Sequence, residues 1–240
     1  MDTELIRGAR VSHERASVDQ IEAAADADAR GVVESLLDSE GVTEAFAIRT
    51  CNRVEAYVVA GSVEAARGAL APVGADVDDG VVVEMDHEES LRHLMRVAAG
   101  LESLVLGEDQ ILGQFKRAIE VAHEAGGIGP TLETGLTKAV HVGERARTET
   151  GINDGVTSIG SAAVRLAERE TDLDGETALV VGAGEMGKLA AQALADAAVA
   201  TVIVANRTLE RADHVVKSVH WDGGPGSLDA VDPASGVSDC

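Results

Sequence analysis

Lysine is almost missing from this chain of 240 residues: it occurs four times, at Lys116, Lys138, Lys188 and Lys217. Aromatic residues make up 2%, and cysteine occurs only at Cys51 and Cys240. Each shortage excludes something. Two cysteines do not make a disulfide framework. A chain that is 45% hydrophobic with so few rings must build its core from Ala, Val, Leu and Ile. No apolar run approaches the roughly 20 residues of a membrane span. Met1-Asp2-Thr3-Glu4 has neither the basic nor the apolar part of a signal peptide. A soluble cytoplasmic protein is expected, with no metal site. Basic charge is also short: 42 acids face 20 bases, for a net charge of −22 spread over the whole chain. Excess carboxylate with scarce lysine suits a salt-rich cytoplasm. An acidic protein ordinarily repels nucleic acid, but at about 1 M salt the Debye length is only about 3 Å. Acidity therefore neither supports nor excludes an RNA substrate.

What is there reads as two parts. Residues 5–12 are expected to be a first strand, and Ser17 to cap a helix through Ile21. A helical stretch covers Val32 to Leu37. Strands flank Cys51, with Ala45 to Ile48 before it and an alternating run from Val54 after it. Ser62 caps a helix through Leu70, and residues 81–85 form a strand. Residues 1–86 thus predict a small α+β sandwich. Helices follow over 88–104 and 111–125, and from Thr131 through Gly143. Gln110 and Gln114, four apart, point to one side. Arg145 and Arg147 suit a helix C-terminus and equally a phosphate. A further helix covers 157–168.

The stretch Thr50-Cys51-Asn52-Arg53-Val54-Glu55 is the most reactive in the chain. If it is extended, Cys51, Arg53 and Glu55 share one face, since side chains alternate. A cation two residues from a thiol favours the nucleophilic thiolate. The alternative is that Cys51 is merely a small buried hydrophobe; its polar neighbours weigh against that. His93 falls beside an apolar helical stripe, where a lone histidine is ordinarily just solvated or hydrogen-bonded.

The second part opens with the strand Thr177 to Val181, which runs into Gly182-Ala183-Gly184-Glu185-Met186-Gly187 and a helix over 188–197. This is G-x-G-x-x-G in the strand–turn–helix setting that binds a pyrophosphate at the helix N-terminus. The next strand, Thr201 to Ala205, ends in Asn206-Arg207-Thr208. An NAD site usually places an acid there for the ribose 2′-hydroxyl. Arg207 stands there instead: it could merely solvate the loop, but an Arg at the end of the second strand can pair with a 2′-phosphate, which favours NADPH over NADH.

Thr-Cys-Asn-Arg-x-Glu at 50–55, His93, Gly100-Leu101-Glu102-Ser103 and Gly107-Glu108-Asp109-Gln110-Ile111-Leu112-Gly113-Gln114 stand in one order and register. Together they resemble glutamyl-tRNA reductase, and the resemblance extends to about residue 220. It implies an α+β catalytic domain with a helical block over 1–150, then a partial α/β Rossmann domain over 151–240 that binds NADPH. It implies Cys51 as the nucleophile that forms a thioester with the glutamyl group of glutamyl-tRNA, and NADPH as the reductant to glutamate-1-semialdehyde. Thr50, Asn52, Arg53, Ser103, Glu108, Asp109, Gln110 and Gln114 are implied to hold the glutamyl moiety, with Arg53 on its carboxylate. His93 is implied in activity without a fixed role. Gly182 to Gly187 and Asn206 to Thr208 are implied to hold the cofactor. Family members are homodimeric, and glutamate-1-semialdehyde aminomutase is a possible partner. The rest of the family's cofactor domain and its helical dimerisation region have no counterpart here. The chain therefore reads as truncated, its cofactor domain reduced to two strands and expected to bind NADPH weakly. The alternatives are an oxidoreductase resembling shikimate dehydrogenase and a non-catalytic nucleotide-binding regulator. The first places a catalytic lysine early, where this chain has none; the second leaves the Cys51 and Gln110 motifs unexplained.

Overall fold

The computed structural model describes residues 5–24, 27–78, 80–152, 158–197, 199–220 and 227–231. It divides into two compact units, Met1–Asn153 and Asp154–Cys240.

The first unit is built on a four-stranded antiparallel sheet in the order β2-β3-β1-β4. Its strands are β1 (Leu5–Ser12), β2 (Val42–Thr50), β3 (Arg53–Ala60) and β4 (Val83–Met85). Every residue of β3 is buried, because helices cover both faces. Small residues, Ala47 and Ala56 among them, lie against α2 (Ala29–Leu37) and α3 (Val63–Leu70). The opposite face carries the bulk. Phe46 packs on Tyr57 at 5.9 Å between ring centroids and on Phe115 at 5.7 Å. Three of the chain's four aromatic residues thus meet in one place; Trp221 lies outside the described residues.

The caps read as the side chains dictate. Ser17 closes a capping box on α1 (Val18–Ala23), and Ser62 accepts from the Ala65 N–H of α3. Helix α4 (His87–Ala99) has a second capping box at Asp86 and stops at Gly100, whose φ of 80° is left-handed. This corrects the expected run to Leu104. Leu101 and Leu104, inside the expected run, are exposed. Helix α5 (Asp109–Glu124) and the long α6 (Pro130–Glu149) complete the layer. α6 starts at Gly129, which offers no capping side chain. Glu44, buried on β2, fills that role by accepting from the N–H groups of Thr131 and Leu132 at 3.0 and 2.6 Å. A Cβ at Gly129 would stand 2.7 Å from the Glu44 carboxyl group, so glycine leaves room for the carboxylate.

The second unit holds α7 (Ile159–Glu170), β5 (Thr177–Val181), α8 (Glu185–Ala195), β6 (Thr201–Ala205), α9 (Leu209–Ser218) and β7 (Ser227–Val231). Ser158 caps α7; Thr157, expected to open it, lies outside the described residues. The three strands form a parallel sheet in the order β5-β6-β7. The third strand corrects the expectation of two. Ser227 to Val231 pair in register with Thr201 to Ala205, although they lie in a Gly-, Asp- and Ser-rich stretch with Asp229 in the middle. On β5, Val180 turns into the core while Leu179 and Val181 of the other face are exposed. No helix among the described residues is long and apolar enough to cross a membrane.

Candidate active site

Strands β2 and β3 are joined by the two-residue turn Cys51–Asn52, with Thr50 opposite Arg53 in the register. The Asn52 N–H donates to Thr50 Oγ1 at 3.2 Å, and the Asn52 carbonyl accepts from the His13 N–H at 3.0 Å. β1 thereby holds the turn from the side. Cys51 is a free, exposed thiol at the rim of a groove of about 450 Å³, which Val18, Ile21, Ala29 and Arg49 also line.

Beneath the turn lies a buried polar network. Arg53 and Glu55 are each 1% exposed. Arg53 Nη1 donates to Glu55 Oε1 at 2.9 Å, and Nη2 donates to the Glu102 carbonyl. The Tyr57 hydroxyl donates to Glu55 Oε2 at 2.7 Å. His93 sits on the buried face of α4 with Nε2 2.9 Å from Glu55 Oε1. Glu102, in the loop after α4, takes Arg96 Nε on Oε1; His93 Nδ1 and Arg10 Nη1 lie 3.9 and 3.8 Å from Oε2. Burial alone would raise the pKa of the Glu55 carboxyl. The neighbouring His93 and Arg53, with the Tyr57 hydrogen bond, overcome it and hold that pKa at about 2.

These positions correct two expectations. Cys51 does not share a face with Arg53 and Glu55, because the turn ends the strand before it. Nor does Arg53 hold the thiol as thiolate. Although Cys51 is exposed at the rim, partial desolvation and the negative charge of Glu108 push its thiol up; a backbone hydrogen bond opposes them, and Arg53 does so least. Arg53 is buried and bonded to Glu55 and to the Glu102 carbonyl. Arg147, read as a possible phosphate ligand, donates to the carbonyls of Ala98, Gly143 and Glu108 at 2.8, 3.1 and 3.0 Å. It thus clamps the end of α4 to the start of α5, while Arg145 pairs with Glu149.

The other expected residues gather around the same loop. Glu108 is buried, and burial pushes its carboxyl up while Arg53 opposes that. Ser103 Oγ is buried with no hydrogen-bond partner. Gln110 and Gln114 are half-buried on α5. Asp109 begins α5, but its side chain lies outside the described residues. Gly100 and Gly107 close the loop with left-handed φ of 80° and 74° and a backbone bond of 3.0 Å between them. Sequence reasoning passed over Tyr57, Arg96 and Arg10, and singled out Glu55 without giving it a role. The one signal for Tyr57 was its place two residues after Glu55 on an alternating strand.

Because Glu108 raises the Cys51 pKa, removing its charge frees the thiolate. Glu108→Gln is expected to speed alkylation of Cys51 near neutral pH, within roughly one order of magnitude. Iodoacetamide kinetics followed by intact mass measure this; an unchanged or slower rate would show that Glu108 does not act on the thiol.

In the second unit Gly182 follows β5 with a φ of 108°, and its N–H donates to the Ala205 carbonyl at 2.8 Å. A Cβ at Gly187 would collide with the Gly182 carbonyl oxygen. Helix α8 starts at Glu185, three residues earlier than expected, and no side chain caps it. Asn206 Oδ1 accepts from the Ala183 N–H at 3.3 Å, and Nδ2 donates to the Thr208 carbonyl at 2.9 Å. Asn206 thus ties the glycine loop to the end of β6, where Arg207 and Thr208 are exposed.

Comparison with known proteins fits both units. Residues 9–150 match the family described as glutamyl-tRNAGlu reductase, N-terminal domain. Residues 165–224 match the one described as shikimate/quinate 5-dehydrogenase. The glutamyl-tRNA reductase of Haloquadratum walsbyi is 60% identical over 231 residues, 96% of this chain and 51% of that protein. That of Haloarcula marismortui is 59% identical over 233 residues, 97% of this chain and 52% of that protein. The solved glutamyl-tRNA reductase from Methanopyrus kandleri is 38% identical, with a TM-score of 0.63 over 94% of this chain and 54% of that one. The chain spans about half the length of the curated relatives it matches. With its first unit matched nearly end to end, the chain belongs to the glutamyl-tRNA reductase family.

Proposed function

We propose that this chain carries the thiol and the cofactor loop of a cytoplasmic, NADPH-dependent reductase. It converts the glutamyl group of glutamyl-tRNA to glutamate-1-semialdehyde, the first step towards tetrapyrroles. The observation that carries the reading is an exposed Cys51 thiol on a rigid turn, over a buried network that includes His93. Sγ of Cys51 attacks the ester carbonyl carbon that joins glutamate to tRNA. A C–S bond replaces the C–O bond, and tRNA leaves with the proton the thiol gave up. Thiolate suits both halves of such a cycle, since it attacks well and leaves well. Ser103, Gln110 and Gln114 offer polar groups to the glutamyl moiety from the loop and from α5.

The second unit fits a dinucleotide. The glycine loop is bare of side chains at Gly182 and Gly184, the start of α8 is uncapped, and Gly187 permits close backbone approach. When bound, NADPH supplies the hydride that reduces the thioester carbon. Arg207 faces solvent at the end of β6, placed to pair with the 2′-phosphate. The likeness to shikimate/quinate dehydrogenases covers this unit alone.

The test is product analysis with glutamyl-tRNA, assaying semialdehyde and free glutamate separately with each cofactor. Semialdehyde is expected with NADPH in preference to NADH, and Arg207→Ala is expected to reduce that preference by roughly tenfold or more, as loss of one charge-assisted pairing implies. Equal kcat/KM for the two cofactors in the unmutated protein would rule out the role of Arg207.

A further inference from the structure

Glu55 has both carboxylate oxygens filled and no exposed side-chain surface. Oε1 receives Arg53 Nη1 and His93 Nε2, each at 2.9 Å, and Oε2 receives the Tyr57 hydroxyl at 2.7 Å. An ionised carboxylate only accepts hydrogen bonds. His93 Nε2 therefore carries a hydrogen whether the ring is neutral or charged. Nδ1 is the opposite case. The nearest acid is Glu102 Oε2 at 3.9 Å, too far for a hydrogen bond. We propose that Glu55 and Tyr57 are positioning residues that fix the His93 ring with Nε2 protonated, leaving Nδ1 as the nitrogen that exchanges a proton in the reaction at Cys51.

Tyr57 is suited to its part. Burial and the Glu55 charge push its hydroxyl well above its ordinary pKa, so it stays a donor. Its ring is packed against Phe46, which holds the hydroxyl against Glu55 Oε2. The charged groups around the imidazole are then assigned. From β3 come Arg53, Glu55 and the neutral Tyr57. Glu102 comes from the loop after α4, with Arg96 of α4 and Arg10 of β1 beside it. Carboxylate partners of this kind fix the tautomer and ring orientation of an imidazole, and in metal sites their loss costs 10- to 100-fold in activity. The proposal rests on reading Cys51 as the acyl acceptor, and its first readout does not.

That readout is two-bond 1H–15N correlation on histidine-labelled protein, with His93→Gln to assign the signal. The expected pattern for His93 is a neutral ring with Nε2 protonated and Nδ1 bare. A protonated Nδ1 and bare Nε2 in the neutral ring would overturn the proposal. In Glu55→Gln the amide can offer its NH2 to Nε2, so a mixed or reversed tautomer is expected. With it, kcat for release of glutamate from glutamyl-tRNA is expected to fall about 10- to 100-fold at nearly unchanged KM. Tyr57→Phe is expected to keep the tautomer and lose less. Loss of the tautomer with full kcat would show that the ring orientation is not used, and would also overturn the proposal. If Glu55→Gln does not fold, the spectrum of the unmutated chain and the Tyr57→Phe rate still decide. Glutamate release that survives Cys51→Ser would instead sink the acyl-transfer reading and leave the tautomer result standing.

Discussion

Cys51→Ser is expected to abolish both covalent capture of glutamate and its release from glutamyl-tRNA. The loss should be at least about 10³-fold, the scale on which removal of a nucleophile acts. Serine keeps the size of the side chain and the turn, so the fold is not at issue. What disappears is a sulfur that both attacks and leaves. The thiol rests protonated, pushed up by burial and by Glu108. Its reactivity therefore has to be released when substrate arrives and the site changes, rather than held in a standing thiolate. Without NADPH the thioester is open to water, so the unmutated chain should release free glutamate slowly. Cys240 is the only other thiol and lies outside the described residues; Cys240→Ser is the control and should behave as the parent. Intact mass after acid quenching reports the adduct, and radiolabelled glutamate reports release. Undiminished adduct in Cys51→Ser would end the assignment.

Arg53→Ala is expected to destabilise the first unit by about 3–5 kcal/mol, the usual result of removing one partner from a buried ion pair. Glu55 would keep its place under the turn without its cation, and the Glu102 carbonyl would lose its donor. Burial shields the pair from salt, so the loss should persist at molar salt, where surface pairs such as Arg92–Glu88 contribute nothing. Urea unfolding at neutral pH measures it; a loss below about 1 kcal/mol would show that the network is solvated. The same carboxyl sets an acid limb. Its folded pKa of about 2 lies below the ordinary 4.5. Between those values the unfolded chain binds the proton and the folded chain does not. The contribution of Glu55 is thus complete above about pH 4.5 and is lost as pH falls towards 2, by about 3 kcal/mol in total. In Glu55→Gln that part of the limb should vanish.

The sequence rules worked where cause and effect are neighbours. Ser17 and Ser62 announce the starts of their helices, and the glycine loop after Val181 announces β5, the turn and α8. They failed where partners are distant. Period-two alternation correctly put Arg53 and Glu55 on one face, but nothing local says that the face looks inward. That depends on Glu102 and His93, 49 and 38 residues away. The same blindness left Arg147 open between a helix C-terminus and a phosphate, when three carbonyls take its guanidinium. The strand β7 was missed for a different reason. Ser227 to Val231 gain their order from pairing with β6, which no composition of five residues advertises. The helix expected to reach Leu104 was drawn too long because Gly100, at a left-handed φ, ends it.

The turn that displays Cys51 also belongs to a structure made from neighbouring segments of the chain. β2 and β3 are adjacent in sequence, and a hairpin closes in about 1–10 μs. The acidic loop between α4 and α5 comes later. Its placement needs Arg53 to find it 49 residues downstream, and then Arg147 of α6 to lock it to α4 and α5. During synthesis the thiol therefore emerges on a finished hairpin before Glu108 exists beside it. Until Glu108 is in place, the Cys51 thiol is expected to lack one of the influences that push it up in the folded protein.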